Sequence, residues 1–399
     1  MMAMKVFQFS EQAYHPAWDV PGDLRITFPA RHCDPVIAGK LLNRYLDEYL
    51  LADDLGLDIM INEHHASATC MSTVCSMTLG ILARQTRRAR LLALGIPISH
   101  RSDPVRVAEE IAMADCLSGG RLELGMVKAA GYEIFMSNQN PARLDQRFWE
   151  AHDLIIAALS NTDEVFSWEG ENFQLRNVSL WPTSIQRPHP PIWMTASTAA
   201  SAAKIAALGY HCATFLCGAT ARTVFDAYRA SYLKTHGREA PDDKLGYLAL
   251  VAVGSTTQEA MRKAELMKGY FVTAERVGAQ FRNPAGFTSA AENARVMGLQ
   301  IRPARTLLKD GRPLPRDASV ENYIDAQLLF AGTPDEVFAQ LKEFYAETGG
   351  FGNLLMMGQA ALLDHADTVD NLTLFANEVY PRLRELKQDS RERLPAATF

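Results

Sequence analysis

The chain has 399 residues, of which 48% are hydrophobic and 22% are charged, a composition that allows a large core and excludes a disordered chain. The formal net charge of −6 is spread along the sequence, so the basic stripe that binds nucleic acid is missing. Because no apolar window reaches the roughly 18 residues of a membrane span, and because the N-terminal segment lacks the apolar centre of a signal peptide, we expect a cytoplasmic protein.

Short apolar runs typical of strands alternate with longer amphipathic runs typical of helices, which indicates a parallel sheet with crossover helices. The helix that starts after Asp103 has this residue as its N-cap, Pro104 at its first position and the stop signal Gly119-Gly120. Residues 160–186 contain the run FSWEGENFQL, which predicts a small hairpin. Eight strands are predicted, at residues 5–9, 57–62, 89–98, 121–127, 190–196, 211–216, 246–254 and 353–358.

Residues 273–325 interrupt the alternation. This stretch is polar, contains arginine and proline, and is too long for an ordinary connection. We predict an insertion after strand seven that carries helices or forms a mobile lid over the active site, since it leaves the sheet at the same end as the other loops that follow strands. Residues 1–399 would then form a single domain.

Two architectures fit the alternation, a closed (β/α)₈ barrel and an open, doubly wound sheet. The sequence has no GxGxxG after the first strand and no GxxxxGK[ST], so the usual nucleotide-binding turns of open sheets are missing. The runs NEHH, SHRSD, KAAGYE and ASTAAS directly follow strands two to five. Because barrel enzymes carry their active sites at the C-terminal ends of the strands, the sequence favours an α/β TIM barrel.

Four segments resemble the bacterial-luciferase-like flavin-dependent monooxygenases, in the order and near the spacing of that family. They are NEHH (62–65), DPVRVAEEIAMADCLSGGRLELG (103–125), HPPIWMTASTAAS (189–201) and GTPDEV (332–337). The resemblance implies a TIM barrel, non-covalently bound reduced FMN, a flavin hydroperoxide formed with dioxygen, and a separate flavin reductase. The expected function is that of a two-component monooxygenase that oxidises a small organic substrate.

The resemblance places His64 at the family's histidine beside the flavin ring. An imidazole at this position can serve as acid or base near neutral pH, so His64 is the predicted catalytic residue. A histidine that only binds backbone groups at a strand end is the alternative. His65 is expected to point away, because neighbouring side chains at a strand end diverge.

The phosphate of FMN is expected to bind Lys128, at a position where the family often has arginine, together with Ser197, Thr198 and Ser201 at the start of the next helix. Hydroxyls and free N–H groups at a helix N-terminus suit a phosphate, and lysine adds a positive charge. The alternative for the serine and threonine side chains is an ordinary helix cap.

Gly95 and Ile96 align with the end of the family's third strand, where the backbone passes close to the isoalloxazine ring and can carry an unusual peptide bond. Glycine permits such an approach, and the Ile96–Pro97 bond is a candidate for the cis form. A bulge at the strand end is the alternative. Val127 stands where luciferases have a reactive cysteine, so light emission is not inferred.

Three other functions remain open. A deazaflavin-dependent oxidoreductase of the same fold would need cations beyond Lys128 at the phosphate site, and a flavin-binding protein without catalysis would not need His64. A metal-dependent hydrolase could use Glu63, His64 and His65, but the sequence lacks the further ligand spacing. No metal site is predicted, and the cysteines are expected to be reduced, since none has CxxC spacing. These are Cys33, Cys70, Cys75, Cys116, Cys212 and Cys217.

The segment ATCMSTVCSMTLGILA (68–83) is apolar around more of its circumference than a helix buried on one side requires. A second buried face predicts a homodimer in which this helix packs on its own copy across a two-fold axis.

Overall fold

Eight parallel strands close into a barrel in the computed structural model, which describes residues 3–274, 276–288 and 306–386. The strands of the chain are β1 (Lys5–Phe9), β2 (Asp58–Ile61), β3 (Leu91–Pro97), β4 (Leu122–Val127), β5 (Phe166–Glu169), β6 (Gln174–Val178), β7 (Ile192–Thr195), β8 (His211–Phe215), β9 (Leu245–Val253), β10 (Leu329–Gly332) and β11 (Asn353–Met357). The order around the barrel is β1-β2-β3-β4-β7-β8-β9-β11, and β11 pairs with β1 to close it. The prediction of a TIM barrel is confirmed.

Helices cover the outside of the barrel. They are α1 (Pro35–Asp54), α2 (Cys75–Gln85), α3 (Pro104–Ser118), α4 (Leu144–Ser160), α5 (Ala199–Ala207), α6 (Ala221–His236), α7 (Thr257–Ala274), α8 (Ala279–Arg282), α9 (Val320–Asp325), α10 (Pro334–Glu347), α11 (His365–Leu374) and α12 (Tyr380–Leu383). Across the described residues, none of these helices is both long and apolar enough to pass through a membrane.

Sequence signals explain where several helices begin and end. Asp103 accepts hydrogen bonds from the N–H groups of Val105 and Arg106 and so caps α3, which ends at Gly119 with a φ of 67°. This matches the start and stop predicted from the sequence. The π-helical turn between α11 and α12, Phe375–Val379, precedes Pro381, which has no N–H to continue the α-helical pattern.

The strands are apolar on both faces because the barrel has two core layers. On β1, Phe7 and Phe9 point into the barrel, while Val6 packs outward against the helices. This alternation follows the two-residue period of a strand. The interior is filled with side chains, so the space for chemistry lies at the C-terminal mouth, which is formed by the loops that follow the strands.

The prediction of eight strands missed β10. Strand β9 is long: its residues Leu245–Leu248 pair with β8, and its residues Leu250–Val253 extend further and pair with β10. A four-residue run such as LFAG does not stand out in a sequence, and its strand conformation depends on this partner.

The insertion begins within α7 and includes α8 and α9, as predicted for a segment that carries helices. Residues 289–305, the middle of the predicted lid, lie outside the described residues. The predicted hairpin is present as β5 and β6, which pair antiparallel.

Candidate active site

Four loops bring acidic and histidine side chains together at the C-terminal mouth. Glu11 follows β1, His64 follows β2, His100 follows β3 and Glu133 follows β4. The Nδ1 atom of His64 lies 2.6 Å from a carboxylate oxygen of Glu133, and its Nε2 atom lies 3.9 Å from Glu11. His64 therefore lies between two carboxylates, with 25% of its side chain exposed.

The electrostatics of the His64–Glu133 pair favour its charged form. Burial disfavours the imidazolium, but the Glu133 charge and hydrogen bond outweigh it and raise the pKa of His64. Burial would raise the pKa of Glu133, yet His64 and the N–H of Ala130 lower it to about 2. A raised pKa favours the imidazolium form of His64, in which Nδ1 donates to Glu133 and Nε2 carries the second proton.

The other two residues of the Glu-His-His run have structural contacts. Glu63 is buried, accepts hydrogen bonds of 2.7 and 2.8 Å from Arg101 and one of 3.1 Å from the N–H of Cys75, and so anchors the start of α2. His65 contacts Glu63 at 3.2 Å. Within residues 3–274, 276–288 and 306–386, no three potential ligands converge on a metal position, so the hydrolase alternative gains no support.

His100 was not predicted as a site residue, although it lies in the SHRSD run after β3. It is 8% exposed, and its Nε2 atom is buried with no hydrogen-bond partner among the described residues. Burial, together with the charges of His65 and Arg101, lowers the pKa of His100 to about 4 despite the nearby Glu133. The mouth therefore contains one imidazole whose neutral form is favoured, His100, beside one whose charged form is favoured, His64.

Arg25 and Tyr132 complete this part of the mouth. Arg25 donates a hydrogen bond to the Tyr132 hydroxyl, and its guanidinium carbon lies 5.0 Å from the centre of the Tyr132 ring. Tyr132 belongs to the KAAGYE run that the sequence analysis singled out. Arg25 lies in a long polar loop without periodicity, so no sequence signal identified it.

Lys128 and the start of α5 lie at the ends of neighbouring strands. Met126 pairs with Met194 between β4 and β7, so Lys128 and Ser197 leave these strands at the same edge of the barrel. The Nζ atom of Lys128 lies 3.8 Å from the exposed Asp145. Exposed ion pairs are weak, so the amine is available to an anion.

Thr198 and Ser201 cap α5, which is the alternative reading from the sequence. The Thr198 hydroxyl accepts from the N–H of Ser201 at 3.2 Å, and the Ser201 hydroxyl accepts from the N–H of Thr198 at 3.3 Å. Such a cap satisfies only part of the N–H groups at a helix N-terminus, so this end can still bind an anion.

Gly95 lies on β3 beside Val127 of β4. The cis peptide bond within β3 is Leu94–Gly95, whereas the proposed candidate, Ile96–Pro97, is trans. A Cβ at position 95 would lie 2.3 Å from a methyl group of Val127, so only glycine fits. The Ile96 side chain packs in the outer layer between strands and helices, so only its backbone is near the mouth.

Comparison with known proteins identifies the family. The chain matches the luciferase-like monooxygenase family over residues 25–351, which is most of its length. It therefore belongs to this family, and the resemblance found in the sequence is confirmed.

Two curated relatives show how far the likeness extends. A protein of Sinorhizobium fredii named as the uncharacterized protein y4wF is 31% identical over 227 residues, which is 55% of this chain and 65% of that protein. The oxygenase component of a flavin-dependent trigonelline monooxygenase from Acinetobacter baylyi is 28% identical over 162 residues, 39% of this chain and 44% of that protein. The chain thus spans less than two thirds of these relatives.

Solved structures share the fold over nearly the whole chain. The oxygenating constituent of 3,6-diketocamphane monooxygenase from Pseudomonas putida, in complex with FMN, superposes with a TM-score of 0.69 at 19% identity and covers 96% of this chain and 99% of its own. A coenzyme F420-dependent secondary alcohol dehydrogenase gives 0.63 at 12% identity, with coverages of 96% and 100%. These structures support the fold, and their cofactors differ.

The Glu133→Gln substitution is expected to lower the pKa of His64 towards its ordinary value of about 6.5, because the amide keeps the shape of the side chain and removes its charge. An NMR titration of the His64 ring protons, assigned with His64→Gln, measures this. We expect a decrease of about one unit or more in the titration midpoint, in line with charge effects at short distance. Glu109→Gln, on the exposed side of α3, is the control, and an equal midpoint in wild type and Glu133→Gln would contradict the pairing.

Proposed function

We propose that this chain is the oxygenase component of a two-component monooxygenase, which receives reduced FMN from a separate flavin reductase and uses dioxygen to oxidise a small organic substrate. The observation that carries the proposal is the 2.6 Å contact between His64 and Glu133 at the barrel mouth. Two comparisons support it: one relative is named as the oxygenase component of a flavin-dependent monooxygenase, and one structural neighbour is an FMN complex.

The residues around the mouth fit FMN. Lys128 and the N-terminus of α5 offer a cation and a helix dipole to a phosphate at the ends of β4 and β7. Gly95 packs against Val127 at the end of β3, and its backbone would pass beside the flat ring, as the family resemblance implies. When bound, the reduced flavin supplies the electrons that activate dioxygen.

His64 has the chemistry of a proton donor in this proposal. Glu133 holds Nδ1 and orients the ring, which leaves the Nε2 proton for a ligand oxygen in the mouth. The partly buried position limits water around this proton, and an acid or base placed in this way accelerates proton transfer. Glu133 acts through His64 and is a positioning residue.

A deazaflavin-dependent oxidoreductase is the second candidate, because an F420-dependent alcohol dehydrogenase shares the fold. FMN is favoured, since a longer acidic cofactor would need cations in addition to Lys128 at the start of α5. Parallel titrations with FMN and coenzyme F420, followed by absorbance and fluorescence, distinguish the two. Tighter binding of coenzyme F420 would replace the FMN proposal.

We also propose a homodimer through α2 and the neighbouring α3. Met77, Met113 and Leu117 on these helices are 66, 55 and 46% exposed, and a second copy would bury such apolar surface. Light scattering at micromolar concentration should give twice the chain mass, and Met77→Glu should weaken the dimer. Leu233→Glu, at an equally exposed position on α6, is the control. A monomeric wild-type mass would exclude the dimer.

Lys128→Ala should weaken the binding of FMN by about tenfold or more, since a charge-assisted contact to phosphate contributes about 1.5–3 kcal/mol. Dissociation constants from flavin fluorescence, and from anaerobic titration for the reduced form, measure the effect. Lys342→Ala, at an exposed position on α10, should bind as wild type does. If Lys128→Ala binds equally well, Lys128 does not contact the cofactor.

His64→Ala should retain the fold and the binding of oxidised FMN while turnover falls by about 10²–10⁴-fold, the usual range for an acid or base group. Oxygen consumption with chemically reduced FMN and an identified substrate measures turnover. His236→Ala is the control, because His236 donates a hydrogen bond to the carbonyl of Ala206 and packs against Tyr232 outside the mouth, and it should change stability alone. Unchanged turnover per folded molecule of His64→Ala would favour the non-catalytic alternative.

A further inference from the structure

Arg25 is held beside the His64–Glu133 pair by a short backbone ribbon. It forms an antiparallel bridge with Ser67, and the N–H of Ile26 donates to the carbonyl of Ala66 at 2.7 Å. Residues 25 and 67 belong to the loops that follow β1 and β2. The guanidinium is therefore fixed at the mouth by two loops, one of which carries His64.

The guanidinium is buried without an ionic partner of its own. Arg25 is 5% exposed, and its Nε atom is buried with no hydrogen-bond partner in the described residues. The contact that it makes through Nη1 is to the hydroxyl of Tyr132, which is neutral.

The nearby carboxylates have other partners. Glu133 binds His64, and Glu11 accepts a hydrogen bond of 2.8 Å from the side chain of Asn62. Across residues 3–274, 276–288 and 306–386, no carboxylate oxygen lies within 4.0 Å of the Arg25 nitrogens. The two acids influence Arg25 through space, but neither satisfies its donors.

Burial alone would lower the pKa of Arg25, but the nearby Tyr132 and Glu11 outweigh it and raise the pKa, so the charged form is favoured. Buried charges in proteins are normally hydrogen-bonded on all sides, and the Nε donor of Arg25 still lacks a partner among the described residues. A guanidinium presents its donors in a planar fork that matches the two oxygens of a carboxylate. Tyr132 accepts from Arg25, so its own hydroxyl proton is available to the same ligand.

We propose that Arg25, assisted by the Tyr132 hydroxyl, binds the carboxylate of the substrate, so that the compound oxidised at this mouth is an organic acid. That the acid is the substrate rests on the proposed function. That a carboxylate is recognised rests on the contacts of Arg25. The carboxylate would anchor the ligand beside His64 and hold its reacting carbon near the Nε2 proton.

Calorimetric titration of the full chain, with and without oxidised FMN, tests the recognised group. The probes are acetate, benzoate and phenylacetate, each compared with its own carboxamide, which has the same shape without the charge. We expect the carboxylates to bind at least tenfold more tightly than the amides. Arg25→Gln should remove this preference, and Arg25→Lys, which keeps the charge but not the fork, should retain a reduced one.

Arg106→Gln is the matched control, because Arg106 is an exposed arginine on α3 that pairs only with Glu109 among the described residues, and it should bind as wild type does. The proposal is overturned if no carboxylate is preferred over its amide, or if the preference survives in Arg25→Gln. If Arg25→Gln does not fold, as judged by circular dichroism, the wild-type comparison and Arg25→Lys decide.

The outcome is independent of the flavin chemistry. Binding of FMN without any carboxylate preference would reject the role of Arg25 and leave the proposed function in place. If the chain prefers carboxylates but binds neither oxidised nor reduced FMN, the proposed function is rejected and an acid-binding site remains.

Discussion

Closure of a fully parallel sheet is the constraint on which the candidate site depends. Because all eight strands run in the same direction around the barrel, the loops that follow them must converge at one end. Glu11, His64, His100 and Glu133 are up to 122 residues apart in the chain, yet they meet because each follows a strand of the same closed ring. The packed interior below them leaves the mouth as the place where side chains can meet a ligand.

Within that mouth, some buried charged residues hold the loops in place, and others are available to a ligand. Glu63 pairs with Arg101 and accepts a hydrogen bond from the first N–H of α2, so it holds the loop that carries His64. The His64–Glu133 pair is also a hydrogen bond between side chains of opposite charge, but the second imidazole nitrogen of His64 remains directed at the mouth. The low exposure of these groups strengthens their interactions, which is why the pKa of Glu133 falls to about 2 while that of His64 rises.

The two cations used in the proposals differ in their exposure. Lys128 and the capped N-terminus of α5 are partly exposed, as suits a phosphate that remains hydrated on one side. Arg25, in contrast, is almost completely buried, as suits a small anion enclosed together with the reacting groups. Under the two proposals, Lys128 would hold a cofactor phosphate and Arg25 a substrate carboxylate.

The sequence by itself determined what depends on local pattern. Alternating apolar runs predicted the barrel strands, and the Asp103 cap and Gly119 marked the ends of α3. Polar runs after the strands marked the mouth, and within them the family resemblance indicated His64 and Lys128. These features are visible because hydrophobic period, capping and strand ends are set by neighbours in the chain. Strand β10 was not predicted from this local pattern, because its four residues form a strand only against the extended end of β9.

Tertiary structure alone decided which polar groups satisfy one another. Glu63 and Glu133 are both glutamates that follow barrel strands, yet Glu63 anchors the start of α2 and Glu133 raises the pKa of His64. Arg25 lies in a loop with no periodic pattern, and its burial beside Tyr132 arises from a ribbon that joins two loops 42 residues apart. Charge pairing and burial depend on distances in space and on the exclusion of water, which a pattern of residue types along a chain does not specify.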